Sequence, residues 1–160
     1  MTIPSSRGAF ITTTAATFAS IAFIRSAASA AEFTGKAGTN QPVDHPLSVA
    51  MKDLWDAVRK ETGGRLDVTV FPNNQLGGDT AMLQQLRAGA LQVMTLDGGI
   101  LESVVPVAAI QSVGYAFTDS AQAFRAFDGR LGDYVRKEIG AKGIHAFEKI
   151  WENGMRQITT

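Results

Sequence analysis

Leu66, Val68 and Val70 alternate with Asp67, Thr69 and Phe71, the two-residue period of a half-buried strand, and Pro72-Asn73-Asn74 then breaks it. Past Gly77-Gly78 the spacing becomes helical, with Met82, Leu83, Leu86 and Ala90 recurring three and four residues apart. Asp79 stands where its carboxylate would cap the free N–H groups of that helix start. A strand handing over to a helix in this way belongs to alternating α/β architecture. Upstream, Ala31 to Asn40 predicts a first strand, weakened by Gly35 and Gly38. Pro46 opens a helix whose apolar stripe, Leu47, Met51, Leu54, Trp55 and Val58, ends at Gly63-Gly64. Leu91 to Leu96 predicts a third strand, closed by the turn Asp97-Gly98-Gly99. The order β-α-β-α-β requires crossovers and therefore a mainly parallel sheet.

Beyond this unit the pattern turns helical. Ile100 to Val105 predicts a short helix stopped by Pro106, followed by an apolar connection through Ala108, Ile110, Val113 and Tyr115. Thr118-Asp119 caps a helix carrying Phe124 and Phe127, and Gly129 separates it from another carrying Leu131, Tyr134, Val135 and Ile139, ended by Gly143. Ile144 to Trp151 is rich in β formers and predicts a fourth strand, after which Glu152-Asn153-Gly154 interrupts and MRQITT follows.

Composition narrows the class. The 160 residues are 45% apolar and 19% charged, ordinary for a folded domain with a real core. Formal net charge is zero, and Lys and Arg are interleaved with acids, as in Arg136-Lys137-Glu138, so the clustered basic field of a nucleic-acid binder is absent. There is no cysteine, which excludes disulfides, thiolate metal sites and cysteine nucleophiles.

The compartment is written at the N-terminus. Residues 1–30 hold no acid, an early Arg7, an uncharged run from Phe10 to Ile24 and the Ala28-Ser29-Ala30 pattern of a cleavage site, which together read as a secretory signal peptide and predict an exported protein. The other reading is a membrane anchor, but the run is about fifteen residues against the roughly twenty that a spanning helix needs, and five are Ser or Thr. Cleavage would remove Arg7 and Arg25, leaving thirteen basic and fifteen acidic side chains, a net charge of −2. Ser6-Arg7-Gly8-Ala9-Phe10-Ile11 also resembles a twin-arginine export signal in which Gly8 replaces the second arginine.

Candidate chemistry concentrates where strands end. The helix opening near Asp79 offers unpaired N–H groups and a positive dipole end, and Gly77-Gly78 would let a ligand approach the backbone. The simpler reading is that the glycines make the turn and Asp79 caps the helix. Asp97 and Asn40 lie at the carboxyl ends of predicted parallel strands, where α/β sheets place ligand-contacting loops, although both are also common turn formers. Arg156, after a Gly break and among β formers, suits a carboxylate through its planar fork of donors; the alternative is an ordinary edge-strand arginine. His45 and His145 stand a hundred residues apart, each without a second metal ligand at helical or strand spacing. QLGGDT lacks the phosphate-loop arrangement and GxGxxG does not occur, so no cofactor is expected; no Ser-His-Asp set can be assembled, so catalysis is not expected either.

These residues carry a family resemblance. TGGRLDVTVFPNNQLGGDTAMLQQLRAGALQV and WENGMRQITT, joined by AIQSVGYAFTDSAQAFRAFDG at fitting spacing, resemble the periplasmic substrate-binding proteins of tripartite ATP-independent periplasmic (TRAP) transporters, the DctP type, almost from Ala31 to Thr160. The resemblance implies a two-lobed α/β receptor of the type II periplasmic binding protein kind, which closes on a small organic acid, a C4-dicarboxylate or a sugar acid, and delivers it to a membrane permease without catalysis. It implies ligand contacts from Asn40, Asp79, Asp97 and Arg156. Gly35 departs from the family pattern, where an apolar strand residue is usual. Family members continue through a second lobe and a downstream arginine that pairs with the substrate carboxylate. On that basis residues 1–30 are read as the signal, 31–151 as an incomplete first lobe and 152–160 as the start of the crossover, in a chain expected to bind weakly or not at all; the alternative is a non-binding remnant with at most a structural or interaction role.

Overall fold

In the computed structural model, residues 31–154 are described. The signal-peptide reading of residues 1–30 and the reading of Arg156 lie outside them.

Three parallel strands form the sheet, in the order β2-β1-β3: β1 (Phe33–Gly38), β2 (Leu66–Phe71) and β3 (Val93–Met94). The crossover helices are α1 (Pro46–Glu61) and α2 (Asp79–Arg87). The parallel arrangement expected from the β-α-β-α-β order is therefore present, with β1 at its centre. Despite its two glycines, β1 pairs with β2 along its whole length, from Phe33 opposite Leu66 to Gly38 opposite Phe71. The glycines answer to close packing. A Cβ on Gly35 would lie 3.3 Å from Val68 Cγ2, and one on Gly38 would lie 2.8 Å from Met82 Sδ and 3.4 Å from Leu91 Cδ2. Ala37, Met51, Met82, Leu83 and Leu91 are the apolar side chains buried around the sheet.

The two helices begin as their sequences suggest. Pro46 is the first residue of α1, preceded by His45, whose Nδ1 accepts from Leu47 N at 3.2 Å. Of the predicted stripe, Met51 is buried and Trp55 half-buried, while Leu54 stays 43% exposed. The third strand is shorter than expected, two residues rather than six. Gln92 N donating to Lys36 O and Thr95 N to Gly38 O, both at 3.2 Å, continue the pairing to β1 on either side of it, while Leu91 is drawn into the core.

The chain from residue 98 to 150 forms a helical layer. Asp97-Gly98-Gly99 is a capped helix start rather than a turn: α3 (Gly98–Leu101) begins two residues before the predicted Ile100 and lasts one turn. Pro106 does not simply stop a helix, because it opens a 3-10 helix over Pro106–Ser112 within the expected apolar connection. Next come α4 (Ser120–Phe127) and α5 (Arg130–Gly140). Asp119 caps α4, accepting from Gln122 N at 2.7 Å, and Gln122 Oε1 reaches back to Thr118 N at 2.7 Å, a variant of the reciprocal capping box. The apolar faces meet in a core of Val105, Ala108, Phe127, Val135 and Ile139.

The predicted fourth strand, Ile144 to Trp151, is not a strand. Ile144, Ala146 and Ile150 instead pack onto the helical core. Among the described residues no neighbouring strand pairs with them, and the Glu148 carbonyl instead accepts from Arg136 Nη1 at 2.9 Å. α5 likewise ends at Gly140, one turn before Gly143, which closes the following turn with φ near 76°.

Gly132 fixes how α5 docks against α4. A Cβ there would meet the Phe127 carbonyl oxygen at 1.7 Å and its carbon at 2.6 Å, so only a backbone shift could admit alanine. Gly132→Ala is expected to cost about 3 kcal/mol in urea unfolding. Gly140→Ala, with nothing within 4 Å of the added methyl, should instead be neutral or stabilising by up to about 1 kcal/mol, the ordinary helix-propensity gain.

Candidate functional site

In a parallel sheet the loops after the strand carboxyl ends converge on one edge, and here they bring together the segments after β1, β2 and β3. The centre is Thr39, which is fully buried. Its N–H donates to Phe71 O at 3.1 Å and its carbonyl accepts from Asn74 N at 3.2 Å. Its hydroxyl accepts from Thr95 Oγ1 at 2.9 Å and from Gln41 N at 3.3 Å. Every polar group of this residue is therefore used to lock three loops together.

Pro72-Asn73-Asn74 does more than end β2. Asn73 and Asn74 adopt left-handed φ values of 54° and 57°, which asparagine tolerates better than most residues. Their N–H groups then turn back toward the β1 loop, Asn73 N donating to Gln41 O at 2.7 Å. Ser48 Oγ donates to the same carbonyl at 3.3 Å. The Gln75–Gly78 turn is tied down in its turn by Gln85 Nε2, which donates to Leu76 O at 2.7 Å.

This frame positions the polar side chains. Asn40 Nδ2 donates to Asp79 Oδ2 at 2.9 Å, and Asn40 Oδ1 accepts from Gln41 Nε2 at 2.9 Å. Asp79 does not cap α2 as the sequence suggested. It is the first helical residue, Gly78 takes the cap position with no side-chain bond, and the Asp79 carboxylate reaches across to β1 instead. The physical reason is position: one residue too late to fold back on its own first turn, Asp79 finds the nearest donor in the neighbouring loop. Its other oxygen, Oδ1, is enclosed and meets no donor.

Asp97 follows β3 on the same edge, joined to the centre through Thr95. Its carboxylate caps α3, accepting from Gly99 N at 2.8 Å, and Ser112 Oγ donates to it at 3.3 Å. Of the four residues singled out from sequence, the structure thus pairs Asn40 with Asp79, sets Asp97 on the adjoining loop with a structural task of its own, and does not describe Arg156. Thr39, Gln41 and Thr95 were not singled out. Their signal was the polar run Thr39-Asn40-Gln41 directly after a strand, since a strand that ends on three hydrogen-bonding side chains is anchoring something.

The edge is acidic and amide-rich. The segments 39–41, 72–80 and 95–99 contain two aspartates and no lysine or arginine. Among the described residues no group of three His, Asp or Glu is placed to hold a metal ion. His45 serves as the cap of α1, and the His145 ring lies edge-on to Phe147 with centroids 6.0 Å apart. A depression of about 400 Å³ lies elsewhere, beside α5, but Arg136 within it is committed to the Phe127 and Glu148 carbonyls and to Asp133. Its internal bonds leave it little to offer a ligand.

The sequence profile of the bacterial extracellular solute-binding proteins, family 7 (DctP), matches residues 37–160. This chain belongs to the DctP family. Among curated relatives it is 30% identical over 111 residues to the 2,3-diketo-L-gulonate-binding periplasmic protein YiaO of Escherichia coli, a match that covers 69% of this chain and 34% of the relative. The chain thus spans about a third of the length of the curated relatives it matches. A TRAP periplasmic solute-binding protein from Roseobacter denitrificans, solved with bound β-D-glucuronate, superposes with a TM-score of 0.67 at 28% identity, over 70% of this chain and 37% of that one. Another from Sulfurospirillum deleyianum, solved with succinate, gives 0.67 at 26% identity, over 71% and 36%. The sheet and helices of this DctP chain are therefore those of the TRAP solute-binding fold, a family of binding proteins rather than enzymes.

The buried hydroxyl pair is the part of this frame most open to test. Thr39→Val leaves the Gln41 N–H and the Thr95 hydroxyl without their acceptor and should lower stability by about 1 to 2 kcal/mol in urea titrations. Adding Thr95→Val should cost less than a second independent loss, because the partner has already gone.

Proposed function

We propose that this chain captures a small organic acid in the periplasm and presents it to the membrane permease of a TRAP transporter, with no reaction catalysed and no cofactor. The observation that carries the reading is the Asn40–Asp79 pair at the carboxyl edge of a parallel sheet, in a chain that belongs to the DctP family. Residues 1–30 act as a cleaved export signal, residues 31–151 as the first lobe, and residues 152–160 as the start of the crossover to a second. Asn40 and Asp79 line one wall of the cleft, Asp97 flanks them, and Arg156 supplies the guanidinium for the ligand carboxylate. A planar fork of N–H donors matches the two oxygens of a carboxylate, which an ammonium group cannot do. The molecules named for the relatives, 2,3-diketo-L-gulonate, β-D-glucuronate and succinate, all carry such a group.

Amide chemical shifts of the ¹⁵N-labelled chain, followed while sugar acids and C4-dicarboxylates are added up to their solubility limits, test the reading at both tight and weak affinity. Shifts confined to residues 39–41, 78–81 and 97–99 are the expected result; a folded spectrum that no organic acid perturbs overturns it. Arg156→Ala should weaken binding at least about tenfold, the loss of one charged hydrogen-bonding partner, and Arg156→Lys should restore little of it. Expression in a Gram-negative host should yield a periplasmic product whose first residue, by N-terminal sequencing, lies close to Ala31.

A further inference from the structure

We propose that Asn153 is a modification site, where the side-chain amide converts without an enzyme to a carboxylate through a cyclic imide formed with the backbone nitrogen of Gly154. The modification is independent of the solute-binding reading above; only its consequence for Arg156 rests on that reading.

Asparagine is chemically labile, and its fate depends on the residue that follows it. The following backbone nitrogen gives its proton to water and bonds to the asparagine Cγ. The Cγ–Nδ2 bond then breaks, and the nitrogen takes up protons and leaves as ammonia. Water opens the imide ring at either carbonyl, so nothing is oxidised or reduced and one NH is exchanged for an oxygen. One opening gives an aspartyl residue. The other gives an isoaspartyl residue, in which the main chain runs through the former side chain and is longer by one carbon. The reaction therefore needs a nitrogen that is free to move and a following residue that does not obstruct the ring.

The sequence holds four asparagines, and the fold treats them differently. Asn40 has its Nδ2 bound to Asp79 at 2.9 Å, and the next nitrogen, Gln41 N, donates to Thr39 Oγ1 at 3.3 Å. Asn73 is followed by Asn74 N, which donates to Thr39 O at 3.2 Å, and Asn74 by Gln75 N, which donates to Pro72 O at 3.1 Å. In all three the attacking nitrogen is held by a hydrogen bond and belongs to a residue with a long or branched side chain. Asn153 differs on both counts. Asn153 and Gly154 are exposed and lie outside any helix or strand, and among the described residues neither the Asn153 amide nor the Gly154 N–H has a hydrogen-bond partner. Gly154 has φ near 83°, and a Cβ built on it meets nothing within 4 Å, so the nitrogen is uncrowded on both sides.

The product matters because of where it falls. A carboxylate at position 153 adds a negative charge three residues before Arg156, the group assigned above to the ligand carboxylate, and like charge opposes an anionic ligand. The isoaspartyl form also changes the length of the chain that carries the arginine.

The test ages the full chain in mildly alkaline buffer, which favours loss of the Gly154 proton, and follows its proteolytic peptides by mass spectrometry. The peptide containing Asn153 is expected to convert at least about tenfold faster than those containing Asn40, Asn73 and Asn74, and within about threefold of its own rate in urea, as for a segment whose opening costs almost nothing. Gly154→Ala should slow the conversion at least about tenfold, the factor of a barrier raised by about 1.4 kcal/mol. Conversion first at another asparagine, or protection of Asn153 beyond threefold by the folded chain, overturns the proposal. The converted chain, separated by ion exchange, is expected to bind D-glucuronate at least about tenfold more weakly than the unconverted chain. Equal affinity of the two forms overturns the consequence for Arg156 and leaves the modification site standing. No binding of any organic acid by the unconverted chain overturns the solute-binding reading and that consequence with it, and again leaves the modification site standing.

Discussion

The structure turns on the placement of β1 at the centre of its sheet. β1 pairs with β2 on one side along six residues and with β3 on the other at Ala37 and Gly38. It can occupy that place because its last two residues are small. Ala37 is wholly buried, and Gly38 admits Met82 of α2 and Leu91 so closely that a methyl group would collide with the Met82 sulfur. Helix-to-sheet distance is thus set at a residue with no side chain, and α2 is held where its first residue can reach the loop after β1. Without that approach Asn40 and Asp79 would not meet.

The same constraint explains how a polar site can form beside an apolar core. Thr39 is the first residue past the strand and is entirely buried, so its backbone and hydroxyl must find partners inside the protein. They find them at the end of β2 and in the loops after β2 and β3, through Phe71, Asn74 and Thr95. Satisfying one buried threonine therefore draws three otherwise separate loops to one edge. The side chains that follow are presented from a rigid frame, as a binding surface that must hold hydrogen-bond geometry requires.

The helical layer has a looser logic. Val105, Ala108, Phe127, Val135 and Ile139 form a core of their own, joined to the sheet through α2 and α3. The segment 144–150 packs Ile144, Ala146 and Ile150 onto this core and, among the described residues, has no strand partner, while Phe147 and Trp151 are left 62% and 44% exposed. A segment rich in β formers can bury its apolar residues on any apolar surface. Pairing into a sheet needs a second strand with free backbone groups as well, and that is a property of the neighbourhood rather than of the segment.

That distinction separates what the amino-acid sequence by itself determined from what the tertiary structure decided. Hydrophobic period, Pro46, the Asp119 cap and the glycine breaks defined α1 and α4 nearly to the residue and α2 and α5 to within about a turn at their ends, and the alternation of strands and helices defined a parallel sheet, because these signals act over a few neighbouring residues. The quoted motifs carried the family as well. The length of β3, the helical start at Asp97 and the unpaired course of residues 144–150 depended on which backbone groups were near in space. So did Asp79. Its sequence position spoke for capping its own helix, and only the folded chain, by setting α2 against Gly38, brought an asparagine thirty-nine residues away within 2.9 Å and gave the carboxylate a different partner.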